Sequence, residues 1–310
     1  MSPTQTPTLT ATTTVLQKEW RVSLGDQTRQ WKAVVASSDF TTIIAAAACV
    51  TCNPPVGGSI HKSSDGVWSE LADTIRMWTC LAISSDGLKL IGGTTYDYLY
   101  TSSDGGVSWL QRAEARNWVS VASSSSGTIL VAAASGSFIY ISSDSGETWL
   151  TQFTNAPIHN WNAVTMTANG TKMFAAEAGS GIYFSSDSGV NWGVANSLTT
   201  VAWNCIASSF DGRYLVASAG ANGLYSSTTG AFVARGSGGM TISWVASSED
   251  GTKMYASTST GMLVLSTNYG VGWNPFSPSY PLSDNYIFAV SADGSKIVAA
   301  GKNGWIHTYS

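Results

Sequence analysis

The octapeptide Ser-x-Asp-x-Gly-x-x-Trp recurs along the chain as SSDGGVSW (102–109), SSDSGETW (142–149) and SSDSGVNW (185–192), with a looser STNYGVGW at 266–273. A second motif precedes these boxes and reads Trp-x-x-apolar-Ala-x-Ser-x-Asp/Asn-Gly. Its copies are WTCLAISSDG (78–87), WVSVASSSSG (118–127), WNAVTMTANG (161–170) and WNCIASSFDG (203–212), with weaker ones from Trp31, Ile242 and Asn285. Units therefore start near 31, 78, 118, 161, 203, 242 and 285. A period of roughly 42 residues belongs to repeat architectures in which each unit buries its apolar face against the next.

Within a unit, short apolar runs such as KLIGG, ILVAAA and KMFAAE, then YLYTSS or FIYISS, stand between Gly, Ser and Asp turns. This gives four short strands per unit, and no segment sustains a 3.6-residue period. The expected fold is all-β: a seven-bladed β-propeller of four-stranded antiparallel blades. The last unit stops at GWIHTYS without a box or a fourth strand, and WRVSL (20–24) precedes Trp31 by the interval that elsewhere separates a box Trp from the next unit. WRVSL is thus expected to complete the last blade, because closing the ring removes open sheet edges. Residues 1–14 are expected to be a disordered Thr/Pro-rich leader, and 15–310 one propeller without an internal linker.

Composition narrows the function. Only 11% of residues are charged, against roughly 25% in an average soluble domain. The net charge of -4 argues against nucleic-acid binding, which needs a basic face. No apolar run approaches the roughly 18 residues of a membrane helix, and MSPTQTPTLTATTT shows neither the basic start nor the apolar middle expected of a signal peptide. A soluble protein is expected, with secretion or a cell-surface location left open. Cys49 and Cys52 form a Cys-x-x-Cys without the second pair that a zinc site needs, so a local disulfide and two free thiols both stay open. Neither a metal nor a cofactor is expected.

The box residues have structural work to do. Asp accepts backbone N–H groups across a tight turn, Gly takes a conformation other residues resist, and Trp packs over the turn. This assigns Asp65, Asp104, Asp144 and Asp187, with Trp68, Trp109, Trp149, Trp192 and Trp273, to the scaffold. Asn268 replaces the Asp in the sixth unit, and SSTTGAFV (226–233) lacks both Asp and Trp. The motif resembles the Asp-box, or BNR, repeat of sialidases, sortilin-type receptors, xyloglucan-cleaving propellers and photosystem II assembly factors. The resemblance covers residues 20–310 and implies the propeller fold; those families share the box and little chemistry.

Function is therefore sought where the repeat breaks. The Asp/Asn-Gly turns and the boxes fall on one face of a propeller and are monotonous, whereas the loops of the opposite face vary, as recognition loops do. Two residues before the unit start stand Arg29, Arg76, Arg116 and His159 in four consecutive units. Such cations suit carboxylate, sulfate or phosphate groups; the structural alternative pairs them with acids such as Asp73 or Glu114. The first unit carries an extra CVTCNPPVGG (49–58). Tyr96, Asp97 and Tyr98, with Glu177, Asn222 and Lys302 in corresponding loops, add aromatic rings beside polar groups, a sugar-binding combination. His61 and His307 occupy the repeat position of Tyr100, Tyr140 and Tyr183 and are expected to be structural; Cys80 and Cys205 are expected in the core.

Three functions fit. The first is a non-catalytic binding module for a glycan or an acidic peptide on that face. The second is a glycosidase with Asp97, Glu177 and Tyr96 in the chemistry, either sialidase-like or of the two-carboxylate kind. Against the sialidase resemblance stand its six blades and its Phe/Tyr-Arg-Ile-Pro motif, which this chain lacks. The third is an assembly scaffold, since the photosystem II assembly propellers resemble this chain in blade number, box and an arginine-rich patch for a partner chain.

Overall fold

The computed structural model describes residues 19–48, 57–72, 74–152, 159–196, 201–228, 231–235, 239–276, 286–301 and 303–310. The proposed leader, Asp73, Cys49, Cys52, Asn285 and Lys302 lie outside them. Among the described residues there is no helix, and so none that could cross a membrane.

The strands follow the sequence period. They are β1 (Trp20–Ala36), β2 (Thr42–Ala48), β3 (Ile60–Ser64) and β4 (Val67–Glu70); β5 (Trp78–Ile83), β6 (Leu90–Thr94), β7 (Asp97–Ser102) and β8 (Leu110–Arg116); β9 (Trp118–Ser123), β10 (Leu130–Ser137), β11 (Ile139–Ser142) and β12 (Leu150–Gln152). The next are β13 (His159–Met166), β14 (Met173–Glu177), β15 (Ile182–Ser185) and β16 (Gly193–Asn196); β17 (Cys205–Ser208), β18 (Leu215–Ser218), β19 (Leu224–Ser227) and β20 (Val233–Ala234). Last come β21 (Ile242–Ser247), β22 (Met254–Thr258), β23 (Leu263–Ser266) and β24 (Asn274–Pro275); β25 (Tyr286–Val290), β26 (Ile297–Gly301) and β27 (Gly304–Tyr309).

Neighbouring strands pair antiparallel. β5–β8, β17–β20 and β21–β24 form four-stranded sheets in chain order. Two larger sheets arise because β1 pairs with β2 and β27, and β10 with β9, β11 and β13, each bridging two units. β10 pairs with β9 and β11 through Leu130–Ala134, then reaches β13 through Ser135 and Ser137. In β1, residues Trp20–Arg29 pair with β27, from Trp20 opposite Tyr309 to Arg29 opposite Gly304, while Gln30–Ala36 pair with β2. WRVSL thus joins the C-terminal strands, but it is not a separate strand: the chain stays extended through Trp31, with register shifts between Leu24 and Arg29 absorbing the change of partner.

The first strand of each unit contacts that of the next, in the cycle β1–β5–β9–β13–β17–β21–β25–β1. A belt of backbone hydrogen bonds follows the same circuit. Ser38 N–H donates to Ser85 O (3.1 Å), Ser85 to Ser125 (2.9 Å), Ser125 to Ala168 (2.7 Å), Ala168 to Phe210 (3.0 Å), Phe210 to Glu249 (2.7 Å), Glu249 to Ala292 (2.8 Å), and Ala292 back to Ser38 (3.4 Å). The belt runs through the turns between first and second strands, whose shape the recurring Ser-x-Asp sets. Ser209 Oγ donates to Asp211 Oδ1 (2.8 Å), Asp211 accepts Arg213 N–H (2.9 Å), and Ser209 Oγ accepts Tyr214 N–H (3.0 Å). Ser291, Asp293, Ser295 and Lys296 repeat the pattern. Phe40, at φ 66°, takes the left-handed position that Gly fills in the other units.

Second strands carry small residues at their centres, and Ala45, Ala46, Ala132, Ala175, Ala217, Ala256 and Ala299 are fully buried. Small side chains there let neighbouring sheets approach closely, so each apolar cluster spans two units. Ile44 and Ile60 meet Trp78 and Leu81, and Val298 and Ile306 meet Trp31 and Ile43, joining the last unit to the first. Trp31, Trp118, Trp161 and Trp203 are among the largest fully buried side chains.

Candidate functional site

The boxes share one hydrogen-bond plan. In SSDSGETW, Ser142 Oγ donates to Asp144 Oδ1 (2.7 Å) and accepts Gly146 N–H (2.8 Å), while Asp144 accepts Thr148 N–H (2.9 Å) and its hydroxyl. Trp149 Nε1 donates to Gly146 O (3.0 Å). Ser102/Asp104/Ser108/Trp109 and Ser185/Asp187/Asn191/Trp192 repeat it, and Asn268 does the same for Gly272 N–H (2.8 Å). The hydroxyl and N–H of Thr148 and the Ser142 hydroxyl hold the Asp144 carboxyl down at about 2; the N–H and amide of Asn191 and the Ser185 hydroxyl do the same for Asp187.

Two units depart from the sequence expectation. Asp65 and Gly66 form a two-residue hairpin between Ser64 and Val67, both with positive φ, because this connection is two residues shorter. Trp68 Nε1 then donates to Ser23 Oγ (2.8 Å) rather than to a box carbonyl. In the fifth unit Ser226 pairs with Val233, as Ile141 pairs with Leu150, so Phe232 stands where Trp149 stands. Its ring lies 5.8 Å from Trp203, as Trp109 lies 5.0 Å from Trp78. The aromatic is therefore kept, two residues earlier than an ungapped alignment of Ser227 with Ser142 gives, because the stretch between them is two residues shorter in sequence.

On the opposite face, each nominated cation sits against the rings of its own unit. Arg29 lies 5.7 Å over Trp31; Arg76 lies 5.8 Å over Trp78 and 4.2 Å over Tyr100; Arg116 lies 5.1 Å over Tyr140. His159 stacks on Trp161 at 4.8 Å and contacts Tyr183 at 5.6 Å. The rings themselves repeat, as Trp78–Tyr100, Trp118–Tyr140, Trp161–Tyr183, Trp203–Tyr225 and Trp31–His61. His61 and His307 are buried. Arg29 and His159 are buried as well, whereas Arg76 and Arg116 are half-exposed.

The nominated carboxylates are engaged within their units. Asp97 accepts the Tyr100 hydroxyl (3.0 Å), and Glu177 meets His159 Nδ1 (2.9 Å). Burial pushes the Tyr100 phenol up; Arg76 opposes this and Asp97 adds to it, so the phenol stays a donor. Ser137 contacts the Tyr140 hydroxyl (3.3 Å) from the position equivalent to Asp97, and Arg116 reaches Glu114 (2.7 Å). Asn222 lies in the corresponding turn of the fifth unit and is exposed. Tyr98 is half-buried beside the Trp78 cluster, and Tyr96, at φ 54°, is 80% exposed. Among the described residues no cluster of His, Cys, Asp or Glu could hold a metal ion.

Backbone bonds knit this face. Gly58 and Arg76 exchange hydrogen bonds, and Thr95 N–H donates to Met77 O (2.9 Å). Around them lie the exposed side chains of Ile75 and Met77 and a cavity of about 250 Å³ lined by Lys32, Gly58, Met77, Trp78 and Thr95. Lys32 also lines a cavity of about 250 Å³ with Ser243 and Trp244 of β21 and with Asn204, which precedes β17. Sequence reasoning missed Lys32. The available signal was its place one residue after the unit start, the place held in other units by Thr79 and Asn162, which donate to the carbonyls of Trp118 and Trp203 across the unit boundary.

No protein-family model matches the sequence, and no curated protein matches it. Solved structures do. The RRP9 WD40 repeats align over 94% of this chain and 96% of theirs, with a TM-score of 0.75 and 16% identity. YCF48 bound to D1 peptide aligns over 94% and 96%, with a TM-score of 0.70 and 14% identity. The GH74 xyloglucanase from Xanthomonas campestris aligns over 94% of this chain and 53% of that chain, with a TM-score of 0.68 and 14% identity. At such identities the likeness establishes the fold alone, a β-propeller.

Proposed function

We propose that the chain is a seven-bladed, Asp-box-type β-propeller of four-stranded blades that acts without catalysis and binds an acidic peptide segment of a partner protein on the face opposite its boxes. The closed cycle of first strands and the hydrogen-bond belt favour seven blades, with starts near 31, 78, 118, 161, 203, 242 and 285 in one domain over 15–310. One observation carries the functional reading. Arg76 and Arg116 hold the same place in consecutive blades, fixed over Tyr100 and Tyr140, beside the exposed Ile75, Met77 and Tyr96. Fixed guanidinium groups next to apolar anchors suit a carboxylate-bearing segment better than a neutral one, because less side-chain freedom is lost on binding.

Arg29 and His159 support this surface from below rather than forming it. A non-catalytic role agrees with Asp97 and Glu177 being occupied by Tyr100 and His159. A propeller carrying a bound peptide among the structural neighbours adds to the peptide reading. The exposed ring of Tyr96 favours a glycan as the second reading, since such a ring can stack on a pyranose.

The test is a pair of arrays, one of acidic peptides and one of glycans, probed with the native chain and with Arg76→Glu/Arg116→Glu. Binding to acidic peptides that the double variant loses supports the proposal. Binding to glycans alone, or release of sugars from the array, overturns it.

A further inference from the structure

A groove opens between the fourth and fifth units, and none of its lining residues belongs to the arginine face. In other units the box of one unit covers the third strand of the unit before it. Lys62 Nζ donates to Gly105 O (3.0 Å), and Ser226 Oγ donates to Gly270 O (3.2 Å). A Cβ on Gly146 would come within 2.7 Å of Thr101 Cγ2, and one on Gly189 within 1.8 Å of Ile141 Cδ1. Thr101, Ile141 and Ser226 are accordingly buried. The residue in that place in the fourth unit is Phe184, and in the next unit the stretch from Ser227 to Phe232 is two residues shorter in sequence than that from Ser142 to Trp149. Phe184 is 39% exposed, against 6% for Thr101 and Ile141.

The result is a groove of about 680 Å³, where the equivalent gap between the second and third units measures about 200 Å³. Phe174, Phe184, Val194 and Leu215 line it, with Lys172 and Arg213 at its edge. The smaller gap is spanned by Lys89 Nζ, which donates to Ser145 Oγ (3.1 Å); Lys172 Nζ instead turns to Asp211 O (2.9 Å) and leaves its groove open. Asp211 stands at the same edge and stays ionised, since its carboxylate accepts Arg213 N–H and the Ser209 hydroxyl of its own turn; with Lys172 and Arg213 the edge keeps an excess of positive charge.

We infer that this groove binds a polypeptide segment of a partner protein carrying an aromatic residue flanked by acidic ones. The volume exceeds that of one side chain and lies within the roughly 300–1,000 Å³ of ligand sites. The apolar lining takes the ring, and the two cations at the edge complement the flanking carboxylates. The site is independent of the arginine face and stands whether or not that reading holds.

The experiment measures fluorescence polarisation of a fluorescein-labelled peptide, Gly-Asp-Phe-Asp-Trp-Glu-Gly, on the full chain. The native chain should bind it. Arg213→Glu should weaken binding at least tenfold. Replacing residues 228–232 with the stretch found at 143–149 should abolish it by covering Phe184, with the circular dichroism spectrum unchanged. Arg76→Glu/Arg116→Glu should still bind, which separates this site from the first. No binding by the native chain, or equal binding after the replacement, overturns the inference. So does groove-dependent fluorescence of 8-anilinonaphthalene-1-sulfonate without peptide binding, which would assign the groove to small amphipathic anions.

Discussion

The backbone N–H of Ala292 donates to the carbonyl of Ser38 at 3.4 Å, the longest link of a belt that otherwise spans 2.7 to 3.1 Å. It joins the last unit to the first through main-chain atoms alone, so among substitutions only Ala292→Pro would remove its donor. What secures that junction is the outer strand, which the N-terminal residues bring to β27.

Trp20 anchors that strand. It is 9% exposed and packs against Tyr309 at 5.4 Å and Phe276 at 6.3 Å. Trp20→Ala should lower stability by about 3 kcal/mol, the usual cost of emptying a buried aromatic site. Urea denaturation checks this; an unchanged midpoint would mean that the junction holds without the N-terminal strand.

Asp144→Ala should destabilise the chain by about 1–2 kcal/mol, because the Thr148 N–H and hydroxyl lose their acceptor. Asp144→Asn should cost less than half of that, since Asn268 performs the same task with an amide oxygen. Thermal denaturation of the two variants side by side gives the comparison.

Stability should fall in acid. Asp144 and Asp187 sit at about 2 in the fold, and an unfolded Asp titrates near ~3.9. Their contribution is complete above the unfolded value and is lost as pH falls through the folded one. His307, lowered by burial, acts in the same direction at higher pH: the fold favours its neutral ring and loses that advantage as pH drops below roughly 6.5. Urea midpoints should decline slightly in weak acid and steeply between about pH 4 and 2. A flat profile down to about pH 3 would contradict the role given to the turn carboxylates.

Cys205 should resist alkylation until the chain unfolds. It is buried, its thiol is pushed up to about 11 by loss of solvation, and the thiolate is the reactive form. Iodoacetamide labelling with peptide mapping, with and without urea, reads this directly.

Strand content and antiparallel pairing were legible in the sequence because they rest on local signals repeated many times, and the interval before Trp31 pointed to the pairing of WRVSL with the C-terminal strands. Two things were not. The fifth unit hides its aromatic, since Phe232 falls into the place of Trp149 only once the register of β19 and β20 is known. The candidate arc of Arg29, Arg76, Arg116 and His159 was visible as a pattern, but burial divides it into two supporting and two half-exposed residues. Spacing along the chain records which residues are equivalent; it does not record which of them solvent reaches. Lys32 was overlooked for a related reason: the cavity it lines is completed by Asn204, Ser243 and Trp244 of distant units.

The central claim is that repeated positions build the ring while departures from the repeat bind. It is tested most directly by measuring stability and affinity together for two variants, using a peptide selected on the acidic array. Arg76→Ala/Arg116→Ala should lose at least tenfold in affinity with an unchanged urea midpoint, and Asp144→Ala should lose stability with unchanged affinity. A fully stable Asp144→Ala chain that no longer binds would contradict the claim and move the binding site to the face of the boxes.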